Sequence, residues 1–113
     1  VSFAKYQEAT RTTAIYPEAM TGGVMALAYV SLGLAGEAGE IANKVKKVLR
    51  DDAGQVSPEK RGDIIKEIGD VLWYLARTAD ELGVNLEDIA DANIAKLTDR
   101  KERGVLQGSG DNR

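Results

Sequence analysis

Cysteine and histidine are both missing from this 113-residue chain. Without cysteine there is no disulfide framework, no thiolate zinc site and no thiol nucleophile. Without histidine, Ser-His-Asp triads, imidazole-ligated zinc and Glu-x-x-His di-iron bundles fall away too. Any chemistry has to run on carboxylates, Lys, Arg, Tyr, hydroxyls and a borrowed metal ion. An excess of positive charge is also lacking. The net charge of −3 gives no general attraction to nucleic acid or anionic lipid, and no helix has the basic face of a DNA reader. A nucleic-acid polymer is therefore not an expected partner. Neither is a membrane: the longest apolar-leaning run, Val24 to Ala35, is short and broken by glycine. No signal-peptide pattern is visible, and with no disulfides the expected location is cytoplasmic.

What is present is ordinary globular material, 43% hydrophobic and 29% charged, enough for one domain with one modest core. Helical signals run throughout. Ser2 is a plausible N-cap for a first helix reaching about Ile15, which Tyr16-Pro17 ends. After Thr21-Gly22-Gly23 a long helix is predicted over Val24–Asp51. In it Leu27, Leu34, Ile41 and Val48 recur every seven residues, with Val24, Ser31, Ala38 and Val45 as a second series. Its three glycines, Gly33, Gly36 and Gly39, cost helix propensity, so something has to approach this backbone closely. Asp51–Gln55 turns the chain.

Ser57-Pro58 starts a third helix that runs to about Leu82 and is closed by Gly83. Asn85 is expected to cap a fourth, Leu86 to about Arg103, with Leu86, Ile89, Ile94 and Leu97 facing inward. No strand signal survives. The predicted fold is all-α, an antiparallel bundle of four or five helices spanning residues 1–107. The tail 108–113 has no periodicity and is expected to order only against a ligand.

Two segments carry the chemistry. Glu37/Glu40 and Glu67/Asp70 are pairs of acids three residues apart, each beside apolar neighbours, and such pairs share one helix face. Either pair alone is a common surface pattern. Both together, at matching heights on the two arms of a hairpin, bring four negative charges together where desolvation is costly. A hard divalent cation with oxygen ligands resolves the conflict, and Mg²⁺ suits it.

Lys44 and Lys47 continue the face of Glu37 and Glu40 and suit a polyphosphate; a plain Glu40–Lys44 surface pair is the competing reading. Tyr74, one turn beyond Asp70, could hydrogen-bond a ligand or stack on a base, with Trp73 beside it. Core packing competes for both. Asn93, which interrupts an apolar stripe, shares a face with Lys96 and Arg100 on the last helix. Gly108-Ser109-Gly110-Asp111 lacks the strand-loop-helix setting of a phosphate loop.

The chain resembles the MazG-like nucleoside triphosphate pyrophosphohydrolases. The likeness lies in Gly33-Leu34-Ala35-Gly36-Glu37-Ala38-Gly39-Glu40, in Glu67-Ile68-Gly69-Asp70-Val71-Leu72-Trp73-Tyr74, and in Asn93-Ile94-Ala95-Lys96-Leu97 followed by Arg100. It extends from about Phe3 through Arg103, in a single copy where longer relatives have two. The resemblance implies hydrolysis of (deoxy)nucleoside triphosphates to the monophosphate and pyrophosphate, a nucleotide-pool house-cleaning reaction. It implies that Glu37, Glu40, Glu67 and Asp70 hold Mg²⁺, with Mn²⁺ able to substitute, and serve catalysis. Lys44, Lys47, Trp73, Tyr74, Asn93, Lys96 and Arg100 become candidates for substrate contacts. A homodimer, or a homotetramer built as a dimer of dimers, is the implied assembly. The alternative from another class is a non-catalytic helical module that oligomerises or docks a partner through the same seams.

Overall fold

Serine hydroxyls start two of the helices as expected. In the computed structural model, which describes Val1–Arg113, Ser2 accepts from the Lys5 N–H and Ser57 from the Lys60 N–H, each at 3.1 Å. The helices are α1 (Phe3–Thr10), α2 (Val24–Asp51), α3 (Pro58–Glu81) and α4 (Leu86–Glu102), with a 3₁₀ turn over Arg11–Thr13. There is no strand.

The first helix stops earlier than its periodicity suggests. The Thr10, Thr12 and Thr13 hydroxyls bond back to the carbonyls of Gln7, Ala9 and Thr10, and such back-bonding competes with the α-helical ladder. Asn85 does not cap α4 with its side chain. Gln7 does so from α1: its Oε1 accepts from the Leu86 N–H at 2.7 Å, while its Nε2 donates to Val84 O and Asp80 Oδ1. One buried amide thus pins α1, α3 and α4 together.

The chain is built on the α2–α3 hairpin, turned at Ala53 and Gly54, both with positive φ. Of the two seven-residue series on α2, Leu27, Leu34, Ile41 and Val48 are half-buried or buried, whereas Val24, Ser31, Ala38 and Val45 are exposed. On α4 the expected inward face is open: Ile89, Ile94 and Leu97 are all exposed, Ile94 by 63%. Only 11 of 113 residues are buried, so the core of a single copy is thin. The radius of gyration is 17.0 Å, against about 13 Å for a compact domain of this length.

By length and composition α2 would also qualify to cross a membrane, with a mean hydropathy of 1.3 over its most apolar stretch, which the short run Val24–Ala35 does not suggest. The same helix carries Glu37 and Glu40, which are costly in hydrocarbon.

Candidate metal centre on the α2–α3 hairpin

Three of the four predicted acids meet. Glu37 on α2 and Glu67 and Asp70 on α3 place carboxylate oxygens within 4.8 Å of one another. The hairpin register does this: antiparallel arms of similar length level the two pairs, and i,i+3 spacing sets Glu67 and Asp70 on one face. Glu40 does not join the group and is exposed, although its charge is felt at Glu37. Its place one turn along α2 puts it at the rim.

The cluster is electrostatically unsatisfied. Glu37 is held above the ordinary glutamate range, chiefly through its hydrogen bond with Glu67, then by desolvation and by the charges of Asp70, Glu67 and Glu40. The Glu67 Oε2 atom is buried with no hydrogen-bond partner, and such an orphan is rare and costly in a folded protein. The nearest cation is Lys44, whose Nζ lies 3.7 Å from Glu67 Oε1, beyond a good hydrogen bond. It reaches across to α3 rather than forming the local pair with Glu40.

An all-oxygen donor set with a free carboxylate oxygen fits a hard divalent ion.

Beyond Lys44 the groove opens into a pocket of about 200 Å³ lined by Lys44, Lys47, Asp51, Lys60 and Asp63. The other end of the acid cluster meets an aromatic wall. Tyr74 lies flat against α2 in a notch left by Gly33, where a Cβ would sit 2.7 Å from Cδ1 and closer still to Cε1 and Cζ. That answers for one of the three α2 glycines; Gly36 and Gly39 face nothing within 4 Å. Trp73 stands edge-on to Tyr74 at 5.0 Å and to Tyr16 at 6.2 Å, and Tyr16 stacks on Tyr29 at 5.2 Å. The Trp73 indole N–H is spent on Thr13 Oγ1, so this ring is anchored and offers a face only. Burial, then the charges of Tyr29, Glu37 and Asp70, raise the Tyr74 hydroxyl pKa.

Tyr6, on α1, is close enough to the acids that Asp70, after burial, raises its pKa. Sequence reasoning passed over Tyr6, Tyr16 and Tyr29. The available signal was scarcity: a chain with one Trp and four Tyr gathers all five around this end of the hairpin.

On α4 the structure joins Lys96 and Arg100 to each other's partner, Asp111 of the tail, rather than to the acids. Asn93 is exposed and lies with Lys96, Ile89 and Ala92 along a shallow depression of about 310 Å³. The tail itself is ordered on α4 by its own residues, contrary to the expectation that it needs a ligand. Arg113 donates to the carbonyls of Val105 and Leu106 at 3.0 Å and to that of Gly110.

The paired acids on a helical hairpin give an all-α protein a possible metal site, and comparison with known proteins narrows the class. The MazG nucleotide pyrophosphohydrolase domain matches residues 27–105, well over half of the chain and inclusive of all four acids. Gene 37 protein of Mycobacterium phage L5 is 54% identical over 109 residues, covering 96% of each chain. The uncharacterized protein YvdC of Bacillus subtilis (strain 168) is 38% identical over 71 residues, 58% of this chain and 67% of its own. No solved structure matches. The chain belongs to the MazG nucleotide pyrophosphohydrolase family, whose members are in general metal-dependent.

Proposed function

We propose that this chain hydrolyses nucleoside triphosphates, deoxy forms included, between the α and β phosphates, releasing the monophosphate and pyrophosphate. One observation carries the reading: in a chain of this family, Glu37, Glu67 and Asp70 converge and leave a buried carboxylate oxygen without a partner. Glu37, Glu67 and Asp70 hold Mg²⁺, or Mn²⁺ in its place, and Glu40 supplies a further ligand from the rim. When bound, such an ion polarises phosphoryl oxygens and lowers the pKa of a coordinated water.

The protein's own groups divide the remaining work. A carboxylate of the cluster accepts the proton of the attacking water. Lys44 and Lys47 neutralise phosphate charge. Asn93, Lys96 and Arg100 contact phosphate or sugar. Trp73 and Tyr74 offer the base an aromatic wall. Removal of unwanted nucleotides in the cytoplasm is the physiological role this reaction serves.

Self-association completes the site. The accessible surface is 7769 Å², whereas a folded monomer of this mass exposes about 6,000 Å². The excess exceeds the roughly 800 Å² that each partner buries in a standard interface. A homodimer, or a dimer of dimers, accounts for the exposed apolar faces of α2, α3 and α4.

The test is a screen of common and damaged nucleotides with Mg²⁺, reading out pyrophosphate. Release from at least one nucleotide is expected. No release from any of them would overturn the assignment. Calorimetry with Mg²⁺ and a non-hydrolysable nucleotide separates the enzyme from a purely interacting helical module, which binds neither.

A further inference from the structure

The C-terminal turn after α4 is a built structure. Gly104, with φ +74°, ends the helix, and the Val105 N–H reaches back to the Arg100 carbonyl at 2.9 Å, the closure of a Schellman motif. Arg113 then folds over the turn. A Cβ at Gly108 would lie 2.6 Å from its Cδ, and Gly110 takes a positive φ of 79°. Gly110 therefore suits its backbone conformation, and a side chain at Gly108 would have to displace that of Arg113.

This turn delivers one acid to one place. Asp111 Oδ1 accepts from Arg100 Nη2 at 3.2 Å and from Lys96 Nζ at 3.3 Å, and its backbone carbonyl accepts from Arg100 Nη2 at 2.9 Å. Exposure is lopsided: the Arg100 side chain is 5% exposed, that of Asp111 84%. A nearly buried guanidinium is covered by a carboxylate that sits in water. Arg100 also donates through Nη2 alone, so most of its fork is uncommitted. An ion pair whose carboxylate sits in water is weakened by solvent, and a polyphosphate carries more charge and more acceptor oxygens than one carboxylate.

We propose that Lys96 and Arg100 form a phosphate seat that the chain closes with its own Asp111, so that the C-terminal turn competes with substrate and is displaced when a polyphosphate binds. The proposal rests on the reading above only in placing α4 at the substrate; the competition itself is a property of the turn.

The test uses the full chain with Asp111→Ala and Asp111→Asn, and inorganic pyrophosphate as the probe. Affinity for pyrophosphate by calorimetry is expected to rise about two- to fivefold, the scale of one exposed ion pair, and KM for the nucleotide to fall with kcat unchanged. Because the chain has no cysteine, Asn112→Cys gives a unique position for a fluorescent label. Its anisotropy is expected to drop when pyrophosphate is added, and Lys96→Gln is expected to blunt that drop.

Unchanged or weakened pyrophosphate affinity in both Asp111 variants, or a label that stays rigid at saturating pyrophosphate, overturns the proposal. Normal nucleotide hydrolysis alongside either result would leave the hydrolase assignment standing. A mobile label in a chain that hydrolyses nothing would leave the displacement standing and remove the enzyme.

Discussion

Along the stretch of α3 from Glu67 to Glu81, the two ends treat the same kind of residue in opposite ways. Toward its C-terminus, Asp80 and Glu81 are satisfied. Asp80 takes a bidentate pair from Arg11 and further bonds from Arg77 and Gln7. Glu81 accepts from the Tyr16 hydroxyl, from the Met20 and Gly22 N–H groups and from Arg77. Three turns earlier, Glu67 and Asp70 face another acid, and one of their oxygens has no partner. The pKa directions follow. Glu81 falls below its ordinary value despite burial, because hydrogen bonds and Arg77 favour its charged form, whereas Glu37 rises. A carboxylate whose every bond is made holds the fold together; a cluster left in mutual repulsion is a possible cation site.

Substitution should separate the two ends. Glu67→Gln or Asp70→Asn is expected to lower nucleotide hydrolysis by about a hundredfold or more, since even groups that merely orient metal ligands cost about 10- to 100-fold. The thermal midpoint should equal or exceed the parent's, because repulsion is relieved. A loss of stability without loss of activity would reverse the roles assigned to the two ends.

Arg77→Leu should do the opposite to stability. Arg77 is fully buried between Asp80, Glu81, Tyr16 and Thr10, and stripping one partner from a buried pair costs about 3–5 kcal/mol. Urea denaturation measures it. A cost below about 1 kcal/mol, the scale of an exposed pair, would show that the network is ornamental.

Between the two ends stands Tyr74. Gly33→Ala should cost about 1–3 kcal/mol by overpacking, whereas Gly36→Ala, with open space around it, should not destabilise a single copy. If a second copy covers α2, Gly36→Ala instead weakens self-association, and sedimentation of the two variants distinguishes these cases.

A further effect is in acid. Arg11 first, then Arg77 and Gln7, hold Asp80 down to about 2 against desolvation. A depressed carboxylate adds stability that is whole above about pH 4, its unfolded range, and drains away as pH falls to about 2. Asp80→Asn should flatten that limb of the stability profile, with Glu67→Gln leaving it in place.

Local signals were legible in advance. Ser2, Ser57-Pro58 and Gly83 act within one turn of chain, so the starts of α1 and α3 and the end of α3 follow from them. The covered seam on α2 was visible as a seven-residue repeat, though its twin series looks the same on paper and is open here. The inward face assigned to α4 was misleading for a single copy, because apolar periodicity says that a face is covered without saying by what. Likewise Asn85 has the right chemistry to cap α4, but Gln7 arrives from 79 residues away and takes the position. Arg77, two turns beyond Asp70 on the same helix and carrying no signal of burial in its residue type, is the largest fully buried side chain in the molecule.

Composition and spacing alone settled that the chain is helical, that it folds back at residues near 54, and that neither cysteine nor histidine can serve its chemistry, since these depend on residue type and on contacts within a turn or two. Which acids meet was decided only by packing. A helix turns about 100° per residue, so a modest rotation of α2 against α3 admits Glu37 and leaves Glu40 at the rim. The same holds for Lys44 crossing to Glu67 and for Asp111 closing on Arg100: each requires a relative placement of segments that no local pattern encodes.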